Sequence, residues 1–337
     1  MAINVQHNYS LLGHNTFGMD VRADEFISYD SEDELKEVLK SHPKERPVFH
    51  IGQGSNLLFT KDYKGTILHS NIRFIELKSI DEKGVFCRVG SGFVWDDFCD
   101  DMAKKKFYGV ENLSYIPGEV GAAAIQNIGA YGAEVCNVIS QVEAVEISTG
   151  KKRIFTNKEC CYGYRDSIFK NELWRQYIVT AVLFHLSVKP EVKLDYGQLK
   201  DLKAMNSVPS AEEIREAVIA IRKNKLPDPS VLGSAGSFFK NPVVSVVKYE
   251  ELKKKYEDIP HYIIDSEHIK IPAAWMIEQC GWKGRSMGGA AIYEKQSLII
   301  VNQNHAKPED VILLAEAVQK SVYARFGIEI YPEVNYV

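Results

Sequence analysis

No metal-binding spacing occurs in this sequence. Its six cysteines (Cys87, Cys99, Cys136, Cys160, Cys161 and Cys280) form no CxxC and no Cys/His pattern, which removes the zinc modules. Neighbouring Cys160 and Cys161 are poorly placed to pair with each other, so reduced thiols, no metal site and a cytoplasmic chain are expected. The opening MAINVQHNYSLLGHN has no basic stretch followed by an apolar one, so no export signal is expected. Long apolar runs are missing too. YIVTAVLFHLSV at 177–188 is too short to cross a bilayer and reads as a buried strand. Basic charge is not in excess: the net charge of -4 argues against nucleic acid but permits a local positive pocket for an anionic small molecule. There is no repeat, low-complexity tract or coiled-coil pattern, which disfavours a scaffold. The phosphate-loop signature is also lacking. No GxxxxGK[ST] occurs, Ser237 sits in no GxSxG elbow, and Leu57 stands where a dinucleotide fingerprint starting Gly52-x-Gly54 needs its third glycine.

What remains is an ordinary globular composition, 45% hydrophobic and 26% charged over 337 residues, enough for two or three domains. Ser31 with Glu34 opens a helix over 31–42 through a capping box. RPVFHIGQGSNLLF at 46–59 reads as strand, glycine turn and second apolar run. Strands follow at 65–70 and 85–92, then an amphipathic helix at 94–106 with acids early and lysines late, as the helix dipole favours. The segment 141–156 alternates, turns at Thr149-Gly150 and alternates again, a hairpin. After 188 the chain turns polar. Ser210 and Glu213 open a helix that KLPDPS ends, and a long helix at 308–325 stops at Gly327. IEIYPEVNYV reads as a strand returning the C-terminus to the core. The class is α+β.

IPGEVGAAAIQNIGAYG, 116–132, is half glycine and alanine, with Glu119 as its single charge. Small residues let something large approach the backbone. That could be close packing of two backbones, or a loop against a pyrophosphate and ring. In the second case Gly118, Gly121 and Gly129 give room, while Gln126 and Asn127 offer polar contacts. Pro117, Gln126 and Asn127 interrupt any membrane helix. In GQGSN, Gly52, Gly54, Ser55 and Asn56 are either a tight turn or a nest of N–H groups able to grip a pyrophosphate. Arg165 in GYRDSIFK is either half of a surface pair with Asp166 or a planar clamp for a carboxylate. Ser237 in GSAGSFFKNP is a helix cap or an exposed hydroxyl set by its aromatic neighbours. With no histidine nearby to make it a nucleophile, such a hydroxyl, if it acts, would donate a proton. Glu333, in a neutral aromatic strand, is exposed or else buried with a raised pKa. Lys225 precedes a rigid Pro turn and suits a diphosphate. Tyr196 lies on the loop between the domains.

Seven motifs occur in order: NTFG (15–18), GQGSNLLF (52–59), IPGEVGAAAIQNIGAYG (116–132), GYRDSIFK (163–170), KLPDP (225–229), GSAGSFFKNP (233–242) and PEV (332–334). Together they resemble the MurB family of UDP-N-acetylenolpyruvoylglucosamine reductases, in the subtype whose tyrosine loop, here DYGQL, closes over substrate. Ala124 departs from the proline that relatives often carry. The resemblance implies an α+β fold: a vanillyl-alcohol-oxidase (PCMH) type FAD-binding domain in two lobes, 1–70 and 71–205, and a smaller substrate-binding domain, 206–337. It implies non-covalent FAD, NADPH as reductant and UDP-N-acetylglucosamine-enolpyruvate as substrate, reduced to UDP-N-acetylmuramate for peptidoglycan. The hydride would come from flavin N5. Arg165 and Glu333 would stabilise the enolate and Ser237 would supply the proton. The resemblance adds Pro117, Ala122, Tyr131 and Gly132 on the cofactor side. On the substrate side it adds Tyr164, Asn241 and Gln296 to Tyr196 and Lys225. A bacterial cytoplasmic monomer is expected, without nucleic-acid or membrane partners.

Two other readings compete. An oxidase of the same FAD fold commonly attaches its flavin through His or Cys, which these loops lack. A flavin-free UDP-sugar binder would be colourless and indifferent to NADPH.

Overall fold

The computed structural model describes residues 4–203 and 208–337. By contacts the chain forms two compact units: Met1–Tyr9, Ala23–Gln53 and Tyr63–Asn224 in the first; Ser10–Arg22, Gly54–Asp62 and Lys225–Val337 in the second.

Among the described residues, the first unit holds two larger sheets and the small hairpin of Gly129–Ala130 with Ala133–Glu134. In one, the strands Arg22–Tyr29, Tyr63–Ser70 and Val48–Ile51 run parallel, with Tyr63–Ser70 in the middle. The helix Glu32–Ser41 follows the first of them. Its Ser31 cap accepts a bond from Glu34 N at 3.1 Å, as the capping motif requires. The other sheet is antiparallel and five-stranded, with the order Lys152–Thr156, Ile139–Glu146, Tyr177–Leu186, Val85–Gly90, Ile75–Ile80. The apolar run at 177–188 is therefore the central strand, which explains its lack of alternation. The helix Trp95–Lys104 packs into the core of this unit through Trp95 and Phe98, both fully buried, alongside Phe184. The Trp95 indole N–H donates to Leu113 O at 2.9 Å, so burying the ring leaves no polar atom unsatisfied.

The expected domain boundary near 205 lies outside the described residues. The helix Ala211–Lys225 belongs, up to Asn224, to the first unit. Its Arg215 grips Asp96 with two nitrogens, at 2.5 and 3.0 Å, and its Ile214 and Val218 are buried with Leu194 and Leu199. Apolar and charged contacts thus agree on where this helix packs.

Arg88 and Lys152 both reach Glu143 on the five-stranded sheet, at 2.6 and 2.7 Å. Burial alone raises the Glu143 pKa, but these two cations outweigh it and bring it down to about 2. A folded pKa below the unfolded one stabilises the protein above the unfolded value, and that stability is lost as pH falls through the folded one. Urea unfolding should therefore show a loss on the order of 3 kcal/mol between about pH 4.5 and pH 2. Glu143→Gln should remove that slope; an unchanged pH profile in the variant contradicts the assignment.

In the second unit, the strands Ser234–Ser237, Ile299–Asn302, Ala290–Ile292 and Ser286–Met287 form an antiparallel sheet. The helix Pro308–Phe326 stops at Gly327, which adopts φ 62°, as expected for a glycine C-cap. The C-terminal strand is shorter than its sequence suggests. Only Asn335–Tyr336 pairs, parallel to Leu57–Leu58, with a single bridge between Phe239 and Pro332. Pro332 lacks the N–H that an extended ladder would need. Glu333 therefore sits in irregular chain.

Candidate functional site

The first glycine loop leaves the C-terminal end of the strand Val48–Ile51. In the first unit, Gln53 Oε1 accepts the Gly118 N–H at 3.0 Å, and a Cβ at Gly52 would meet Glu119 Oε2 at 3.0 Å and Ala122 Cβ at 3.6 Å. The beginning of this loop is thus docked on the small-residue run. Gly54 has φ +66°, and a Cβ there would fall 2.1 Å from His14 O, so only glycine fits. Asn56 donates to Glu333 O at 3.3 Å, while its own carbonyl accepts Asn335 N at 3.1 Å. The second half of the loop is therefore tied to the C-terminal segment within the second unit.

The run 116–132 is not a continuous loop. Val120–Gln126 is a short helix, ended by Asn127 at φ 45°. The helix was illegible because Val120, Gly121, Ala123 and Ala124 are all buried, leaving little polar face to betray a period. Two of its glycines make room for the chain itself. A Cβ at Gly121 would approach Ser91 Cβ to 2.8 Å, and one at Gly129 would approach the Arg165 guanidinium to 2.7 Å. Asn127 is fully buried and uses both ends of its amide internally, accepting from Cys136 N at 3.1 Å and donating to Gly163 O at 2.8 Å. Gln126 accepts from Lys170 at 2.8 Å. Tyr131 and Gly132, at φ 48° and 80°, turn a small hairpin, and the Cβ direction of Gly132 is open space. Pro117 is exposed, Gly118 buried and Ala122 half-buried.

GYRDSIFK folds against this run. Gly163 and Asp166 exchange both backbone bonds at 3.1 Å, which puts Tyr164 and Arg165 at the tip of a tight turn, Arg165 with φ 55°. The Arg165 guanidinium donates to Gly129 O at 2.5 Å and lies 5.3 Å from the Tyr164 ring centroid. Lys170 holds the turn from behind by donating to Arg165 O at 2.9 Å, and Ser167 donates to Ile125 O at 2.7 Å. Tyr196 is exposed and meets Tyr131 edge-on, with ring centroids 6.1 Å apart.

In the second unit, Ser237 ends its strand exposed, directly before Phe238 and Phe239, both essentially inaccessible. Phe238 is pinned on both sides, its N–H to Leu298 O and its carbonyl to Glu333 N, each at 2.7 Å. The Ser237 hydroxyl is thus presented by an immobile anchor. Asn241 is partly occupied in accepting Ala273 N at 2.9 Å, and Gln296 folds onto its own turn through Leu298 N at 3.3 Å. Lys225 is exposed at the end of its helix.

Several residues of the neighbourhood escaped the sequence reading. Arg222 donates to Tyr115 O at 3.0 Å and bonds the Tyr131 hydroxyl, with burial lowering its pKa. His69 and Glu119 form a buried pair at 2.9 Å. A histidine in a strand and a lone glutamate between glycines carry no spacing signal that links them. The thiols are free, and burial pushes Cys87 up to about 12 and Cys160 to about 11, which leaves both inert as nucleophiles. Among the described residues no helix is long and apolar enough to cross a membrane.

Two family models match the chain: "FAD binding domain" over residues 23–156 and "UDP-N-acetylenolpyruvoylglucosamine reductase, C-terminal domain" over residues 228–337. A UDP-N-acetylenolpyruvoylglucosamine reductase of Bacteroides fragilis is 51% identical over 99% of this chain and 100% of its own length. The enzyme of the same name from Porphyromonas gingivalis is 42% identical over 99% of this chain and 100% of its own. Among solved structures, the UDP-N-acetylenolpyruvylglucosamine reductase of Thermus caldophilus superposes with a TM-score of 0.68 at 23% identity, covering 100% of this chain and 99% of that one, which supports the fold. The α+β expectation, with an FAD-binding domain of the vanillyl-alcohol-oxidase type and a separate C-terminal domain, agrees with these matches. The chain is an FAD-dependent oxidoreductase and belongs to the UDP-N-acetylenolpyruvoylglucosamine reductase family.

Proposed function

We propose that this chain reduces the enolpyruvyl ether of UDP-N-acetylglucosamine-enolpyruvate to the lactyl ether with NADPH, giving UDP-N-acetylmuramate for peptidoglycan, in the cytoplasm and as a monomer. The observation that carries this reading is the exposed Ser237 hydroxyl set by two buried phenylalanines, with Glu333 N bonded to the intervening Phe238 carbonyl. A proton donor needs such fixed presentation when it is a weak acid.

The residues present fit FAD. Gly52 and Gln53 dock on Gly118 and Glu119, and no His or Cys in the two glycine loops offers a covalent link. Gly52, Gly54, Ser55 and Asn56, with Pro117, Gly118 and Ala122, would hold its diphosphate side, while Gly121 lets the run pack on Ser91. Gln126, Asn127, Gly129, Tyr131 and Gly132 would line the rest, Asn127 by bracing the run from within. When bound, FAD would supply the hydride chemistry, between NADPH and the terminal carbon of the substrate's alkene.

The chain's own groups manage the charge and proton that follow. Negative charge develops on the substrate carbon beside the carboxylate and on the carboxylate itself. Arg165 stabilises it with a planar fork of donors, and Glu333 would add a hydrogen bond only in its protonated form. Ser237 gives its proton to that carbon. Tyr196 and Lys225 hold the UDP diphosphate, and Tyr164, Asn241 and Gln296 contact substrate. Steady-state assays test the whole. Without oxygen, NADPH should be consumed one for one with the lactyl ether, and in the absence of the enolpyruvyl sugar nucleotide no further than one equivalent per flavin; consumption indifferent to that substrate contradicts the reading.

Tyr196 is exposed and braced edge-on by Tyr131. Tyr196→Phe keeps that ring contact and loses one hydroxyl bond to a charged group, so substrate KM should rise about tenfold, with NADPH reduction of the flavin unchanged. The reverse order of effects removes Tyr196 from the diphosphate site.

A further inference from the structure

Glu119 is the only charge in the small-residue run, yet it is 3% exposed. Its Oε1 lies 2.9 Å from His69 Nε2, and its Oε2 lies 3.0 Å from where a Cβ on Gly52 would stand. His69 sits near the C-terminal end of the central parallel strand, in register with Ile51, the last residue before the first glycine loop. Its ring stacks on Phe26 at 6.2 Å, which fixes its direction. Next along that strand, Ser70 bonds Ser91 at 2.8 Å, and Ser91 O accepts the Gly121 N–H at 2.9 Å. The end of this strand thus contacts the small-residue run directly, through His69 and Glu119, and adjoins the first glycine loop through its pairing with Ile51. Nearby His50 is neutral, because burial lowers its pKa to about 3, and it bonds Tyr29 at 2.8 Å. It supplies no competing cation.

A carboxylate beside a loop that grips a diphosphate repels it unless the carboxylate is held in place by a partner. We propose that His69 and Glu119 are positioning residues for FAD: the buried hydrogen-bonded pair sets the spacing of the two glycine loops and ties the run's one carboxylate to the strand rather than to the diphosphate. This rests on the reading that places these loops against FAD. Removing His69 leaves a buried carboxylate without its hydrogen-bond partner, whereas removing the carboxylate charge as well costs little. The two single variants therefore differ. His69→Ala strands the carboxylate beside the diphosphate; Glu119→Gln keeps shape and bonding and removes the charge.

The test titrates the full chain, stripped of flavin, with FAD and separately with riboflavin, which has no phosphate. His69→Ala should weaken FAD at least about tenfold, riboflavin no more than about twofold, and adding Glu119→Gln should restore FAD to within about threefold of the parent. Glu119→Gln alone should stay within about threefold. Where His69→Ala does not fold, His69→Leu poses the same question with the side-chain volume retained. A His69 variant that binds FAD like the parent, loses FAD and riboflavin equally, or is not rescued by Glu119→Gln overturns the proposal. If the parent itself binds neither flavin, the placement of the loops against FAD fails, and this inference fails with it.

Discussion

Ser237→Ala should leave reduction of the flavin by NADPH intact and slow its reoxidation by the enolpyruvyl substrate by about 10²–10⁴-fold. The two half-reactions separate because only the second needs a proton at carbon. Ser237 is the terminal residue of the strand Ser234–Ser237, whose pairing with Ile299–Asn302 shifts register before it is reached, and Gly236 at φ +70° supplies the bend. The backbone then dives, burying Phe238 and Phe239. What stays outside is one hydroxyl. A serine is a very weak acid, so it protonates only a strongly basic carbon held at close range, the centre that hydride addition creates. The substitution deletes one atom from an exposed site, so stability should change little. Stopped-flow traces of each half-reaction decide the matter, and normal reoxidation in the variant removes Ser237 from the chemistry.

Arg165→Lys should cut turnover by about 10²–10³-fold while the flavin remains bound. Lysine keeps the charge and loses the planar fork. The geometry shows how much of the arginine is already committed: one nitrogen donates to Gly129 O at 2.5 Å, and the residue is held at φ 55° on a turn closed by Gly163 and Asp166. The turn thus sets the plane in which the guanidinium would meet a carboxylate. An ammonium that satisfied Gly129 could not also span two carboxylate oxygens. Near-full turnover of the lysine variant contradicts the clamp.

Residues with strong local chemistry were legible in the sequence. Ser31 and Glu34 cap the helix they were expected to open, Gly327 stops the long helix, and the apolar run at 177–188 is the central strand. The exposed serine between glycine and two phenylalanines was readable for the same reason. Features set by partners far along the chain were not. The helix Val120–Gln126 has little solvent face to generate a period. The C-terminal strand looked long because its residues favour strands, but Pro332 and the shortness of its partner Leu57–Leu58 leave only two paired residues. Arg215 and Asp96 lie 119 positions apart, so the helix Ala211–Lys225 could not be placed from its own sequence. Asn127 suggested a ligand contact by its polarity, and it braces the run from inside. The His69–Glu119 pair joins a strand end to a loop 50 positions away, a distance that no motif encodes.

The most direct measurement follows the visible flavin band of the purified chain without oxygen, adding NADPH and then UDP-N-acetylglucosamine-enolpyruvate. Bleaching by the first and full recovery with one equivalent of the second is the predicted result, because it joins reductant, cofactor and substrate in a single trace. Bleaching that the enolpyruvyl sugar nucleotide does not reverse, or a band that NADPH leaves untouched, contradicts the account.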